Sequence, residues 1–85
     1  MTSGVNNRVA ESAVFADEIF TSIARYGRRD WGDLCDDDKK MNDDAIAKGG
    51  RIVAAYKTSE GKVYIITDDT KAKEHTTTIM FAEEY

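Results

Sequence analysis

RIVAAYKTSEGKVYIIT, residues 51–67, is the stretch whose reading decides the fold. Two runs rich in valine, isoleucine and tyrosine, Arg51 to Lys57 and Lys62 to Thr67, flank the polar tetrapeptide Thr58–Gly61. β-branched and aromatic side chains suit a pleated strand, and a short polar segment ending in glycine suits a reversal. The stretch predicts a β-hairpin. Downstream, HTTTIMFAE (75–83) has the same character and predicts a third strand, with DDTKAKE (68–74) as a polar loop.

Upstream of Gly49–Gly50 the periodicity becomes helical. In residues 12–29, Ala16, Ile19, Phe20 and Ile23 recur at helical spacing, flanked by Phe15 and Tyr26. Ser12 can cap this helix and Gly27 can end it. Residues 33–50 predict a second helix. Asp33 is its expected N-cap, Asp36 to Asp38 fill its first turns, and Gly49 ends it. Leu34, Met41 and Ala45 mark its apolar stripe, with Ile46 beside it. NNRVA (6–10) is read as a short edge strand. The expected fold is α+β: a single domain, residues 1–85, with two helices packed on one face of a three- to four-stranded antiparallel sheet.

Eighty-five residues leave room for one domain and no presumption of a deep cleft. Hydrophobic residues make up 41 % of the chain and charged ones 33 %, a composition that supports a core rather than disorder. The single cysteine cannot form an internal disulfide, which fits a reducing compartment. No apolar run nears the roughly 18 residues of a membrane span, and the N-terminus lacks the basic-then-apolar pattern of a signal peptide. A cytoplasmic protein is expected. Its net charge of −4 disfavours direct binding to nucleic acid or anionic lipid and favours a basic protein surface.

Seven of the eighteen residues in RRDWGDLCDDDKKMNDDA (28–45) are aspartate, and the segment holds the only tryptophan and the only cysteine. Three chemistries compete for it. Catalysis would need a nucleophile held by a base, and Cys35 with His75 is the candidate pair. Nothing in their spacing brings them together, no phosphate-binding glycine loop is present, and no enzyme is expected. Cys35, Asp33, Asp36 and His75 include thiolate, carboxylate and imidazole donors, so zinc is the metal they suit, although their spacing matches no zinc signature. Helix capping explains Asp33 and Asp36 to Asp38, and it leaves over Asp30, Asp43 and Asp44. With Trp31, Asp37 and Asp38, these form the predicted partner-binding face, the indole serving as an anchor.

The ordered motifs DWGDL, DK and ND, RIVAAY with a following T and G, YIIT, and the closing TT and EEY resemble a family of small proteins carried by phages, plasmids and other mobile elements. The resemblance covers residues 24 to 85. It departs at DDTKAKEHT, where family members often carry a shorter EWDRS-like turn. Small acidic proteins of mobile elements include inhibitors of host defence. The resemblance therefore implies an anti-CRISPR protein acting in the bacterial host. It would bind a Cas9-type effector, whose nucleic-acid channel is positively charged, and block guide or target engagement. The alternatives are a zinc-stabilised regulatory module of a mobile element with another protein partner and, third, a small hydrolase using Cys35.

Overall fold

In a computed structural model, residues 1–68 and 76–84 are described. They form three helices, α1 (Ser3–Glu11), α2 (Ala13–Gly27) and α3 (Asp36–Lys48), then three strands, β1 (Ile52–Thr58), β2 (Gly61–Thr67) and β3 (Thr77–Phe81), and a closing 3₁₀ turn, Ala82–Glu84. The strands make an antiparallel meander in the order β1-β2-β3. The α+β class and the hairpin hold, with each arm displaced by one residue from its predicted start or end. At the hairpin turn the Thr58 hydroxyl donates to the Gly61 carbonyl at 2.6 Å.

NNRVA is helical, not an edge strand. Val5 and Val9 stand one turn apart on a helix and both reach the core, whereas Asn6 and Asn7 are exposed. The Thr2 hydroxyl caps α1 by accepting from the Val5 N–H. The Thr2 N–H in turn donates to the Ile79 carbonyl on the outer edge of β3 (3.0 Å).

Register places Ile52, Ala54, Tyr56, Val63, Ile65, Ile79 and Phe81 on one side of the sheet. All seven join the core with Val5, Phe15, Ile19 and Trp31. The stripe of α2 that enters it is Phe15, Ile19, Ser22 and Tyr26. Phe15 stacks on Phe81 at 5.6 Å, and Tyr26 shares a 2.6 Å hydrogen bond with Thr67. The buried Ser22 hydroxyl is satisfied by the Glu18 carbonyl. Rotation onto this stripe leaves Phe20 62 % and Ile23 41 % exposed, against the expectation that both face the core. α2 does end at Gly27, but the left-handed residue is Arg29 (φ 62°) rather than the glycine.

The outer edge of β1 is not open. Asn42 of α3 donates its amide to the Val53 carbonyl (2.9 Å) and accepts the Val53 N–H (3.3 Å). One step along, Ala55 donates to the Trp31 carbonyl (3.3 Å) and accepts from the Asp33 N–H (2.8 Å). Gly32 lies between those two contacts with φ +77°, and a Cβ there would sit 1.9 Å from the Ala55 oxygen. Gly27 has nothing within 4 Å of such an atom. Gly32→Ala is therefore expected to destabilise the fold by more than about 3 kcal/mol. Gly27→Ala should stabilise it by about 0.5–1 kcal/mol. Urea unfolding of the two variants checks both, and equal effects would contradict the bridge.

Candidate functional site

The acidic segment divides into structural and free carboxylates. Asp30 is structural. Arg25 donates to it twice, from Nε at 2.8 Å and Nη2 at 3.1 Å, and the Gly32 N–H donates to Oδ1 at 3.2 Å. The Arg25 bonds, then the backbone bond, hold the Asp30 carboxyl below the usual range, and the same pair raises Arg25. The Asp30 carbonyl accepts the Tyr56 hydroxyl at 2.6 Å, and the Arg25 guanidinium lies 5.2 Å from the Tyr56 ring centre. Burial first, and the Asp30 charge second, push the Tyr56 hydroxyl far up.

Trp31 is no surface anchor. It is 3 % exposed, packs edge-to-face on Tyr26 at 5.4 Å, and donates Nε1–H to Asp43 at 3.0 Å. In a domain this small the indole is too large an apolar group to leave out of the core, and its one polar atom needs an acceptor. Asp43 supplies that acceptor. Its unfavourable place late in α3 is thus explained by the tryptophan, not by a partner.

Asp33 is not the N-cap of α3. Its backbone is taken by Ala55, and Cys35 caps without a side-chain bond. Among the described residues no three His, Cys, Asp or Glu side chains gather as they would around a metal ion, so Cys35, Asp33 and Asp36 are not assembled into a ligand set. Cys35 is a free, exposed thiol. His75 lies outside the described residues, so neither its zinc role nor its pairing with Cys35 has a structural counterpart here.

The free carboxylates are Asp33, of which only the backbone N–H is engaged, and Asp36, Asp37, Asp38 and Asp44 on α3. All five are exposed, and none is in an ion pair among the described residues. Asp38 and Asp44 border an open groove of about 580 Å³ between α3 and β1. Its apolar lining comes from Leu34, Met41, Ala45 and Val53, with Lys48 and Arg51 also at its wall. The sequence suggested that Met41 faces the core. It is instead 67 % exposed, because α3 turns Asn42 (5 % exposed) inward to reach Val53. Nothing in the periodicity signals this, since a polar residue at 42 reads as a surface position. Comparison with protein-family models, curated proteins and solved structures finds no match to this chain.

Two pH limbs follow. Asp30 has a lowered folded value, so its contribution is full above the ordinary carboxylate value of about 4 and is lost as pH falls through the lowered one. Tyr56 has a raised value, so its contribution is full below about pH 10 and is lost as pH rises through the raised one. Tyr26, raised by burial, acts in the same direction. Urea midpoints followed by Trp31 fluorescence should fall at both extremes. Asp30→Asn should flatten the acid limb, and Tyr56→Phe should flatten part of the alkaline one. Unaltered limbs in these variants would contradict the assignment.

Proposed function

We propose that this chain acts by binding, with the outer side of α3 and its groove as the contact surface for a basic protein. The observation that carries the reading is the set Asp36, Asp37, Asp38 and Asp44 on α3, unpaired among the described residues, of which Asp38 and Asp44 border the apolar groove. The pattern suits a partner that offers arginine or lysine around an apolar side chain. The carboxylates would steer the encounter and the groove would take the apolar group. Three lysines, 39, 40 and 48, interleave with the aspartates and moderate the field. We read α1 and α2 as the layer over the sheet face that carries Tyr56 and Ile65, with α3 closing the β1 edge. On that reading α3's outer side is left for a partner.

A binding surface needs rigidity, and α3 has it at two points. Asn42 ties it to β1 and Asp43 ties it to Trp31. A preorganised helix loses little freedom on docking. The resemblance to mobile-element proteins, which rests on the quoted motifs and gains no support from the comparisons, makes a Cas9-type effector the first partner to test. Its positively charged channel is a surface of the required kind.

Asp43 must be spared in the test, because it holds the tryptophan. The triple variant Asp37→Asn, Asp38→Asn, Asp44→Asn removes charge without disturbing that bond. The wild-type chain should co-elute with the effector, reduce its target-DNA binding, and lose affinity as salt rises. The triple variant should bind at least about tenfold more weakly, the loss of roughly 1.4 kcal/mol. Full affinity in the triple variant would contradict the acidic surface. Binding to another basic protein but to no effector would remove the effector and keep the surface.

A further inference from the structure

We propose that α2 is a self-association surface, on which a second copy of this chain packs antiparallel. The core takes the stripe of Phe15, Ile19, Ser22 and Tyr26. Roughly 130° round the helix, at about 100° per residue, runs a second stripe: Ala13, Ala16, Phe20, Ile23, Ala24 and Gly27. It is apolar from end to end, and its two large members are the exposed Phe20 and Ile23. Small residues around two large ones let two backbones approach closely and give each large side chain a recess to enter.

The charges on α2 select the occupant. Glu18 is held by Ser59 of the hairpin turn, and Arg25 by Asp30. Arg29 stands beyond the helix in a left-handed conformation. That leaves Asp17 near one end and the C-cap residue Arg28 just past the other, exposed and in no ion pair among the described residues. Both lie on the same flank of the second stripe, roughly 60° and 80° from Phe20. Under a two-fold axis perpendicular to α2, equal flanks face each other with direction reversed. An axis at the level of Ile23 therefore sets Asp17 of one copy against Arg28 of the other, and the symmetry repeats the pair. It also brings Phe20 to within one residue of the level of the partner's Gly27, which has no side chain to obstruct it. Antiparallel helix dipoles favour the same arrangement. A parallel two-fold pairing sets opposite flanks against each other, so Asp17 and Arg28 would meet no charge across the seam.

The helix is 15 residues, about 22 Å, so one face buries much less than the roughly 800 Å² per partner of a standard interface. The association is accordingly weak and reversible, with a Kd of roughly tens to hundreds of micromolar.

The test is sedimentation velocity from about 10 µM to about 1 mM, with circular dichroism to verify folding. Wild type should shift from monomer to dimer across this range. Asp17→Arg alone makes two Arg–Arg contacts and Arg28→Asp alone makes two Asp–Asp contacts, so each should weaken association at least tenfold. An equimolar mixture of the two variants restores every opposite-charge pair and should dimerise like wild type. Phe20→Glu should abolish the dimer. A wild type that stays monomeric throughout, a mixture no better than its components, or a dimer that survives Phe20→Glu each overturns the proposal. If either charge variant does not fold, Phe20→Ser decides alone, and unchanged association overturns it.

Discussion

The closure of the β1 edge is the constraint on which the rest of the structure depends. A three-stranded sheet has one interior strand and two edges, and an open edge is a template for aggregation. Here the outer groups of Val53 are met by a side-chain amide, that of Asn42, and those of Ala55 by the backbone of Trp31 and Asp33. An asparagine side chain carries the same donor and acceptor as a peptide unit, so it can stand in for a missing strand. On the far edge, Thr2 meets Ile79 and the Glu84 carboxylate meets the Phe81 N–H. Neither edge requires a fourth strand to satisfy these groups.

Holding residues 31–33 against β1 fixes much of what surrounds them. Trp31 is driven into the core, where its N–H must find Asp43. Asp30 is brought beside Arg25, and its carbonyl meets Tyr56. Asn42 sets the rotation of α3, which exposes Met41 and opens the groove beside Asp38 and Asp44. The acidic surface is thus what remains once structural needs have taken the carboxylates of Asp30 and Asp43. On the proposed reading, the stable part of the segment exists to present the remainder at a fixed orientation.

The hairpin, the third strand, Ser12 as a cap and Gly49 as a stop were legible in the sequence, because each rests on local chemistry. β-branched runs make strands, hydroxyls cap helices, and glycine accepts φ 86°. What was not legible rests on tertiary partners. Phe15 rather than Phe20 is buried because Phe81 is there to stack on. Asn42 is buried because Val53 offers it both partners, and helical periodicity carries no trace of that. Asp43 reads as a misplaced charge until Trp31 is seen to need it. The α1 helix was missed because nine residues rich in polar side chains have little helical signal of their own. Its order comes from Val5 and Val9 in the core and from Thr2 at both its cap and the sheet edge.

Hydrogen exchange at the Val53 amide tests the edge closure most directly. An edge-strand N–H that points away from its only neighbouring strand ordinarily exchanges fast, since local opening there costs little. With Asn42 in place, Val53 should be protected to about the degree of the amides in β2. In Asn42→Ala it should lose that protection, while the amides that pair β1 with β2 keep theirs. Fast exchange at Val53 in the wild-type chain, or protection that persists in Asn42→Ala, would contradict the closed edge and the placement of α3 that follows from it.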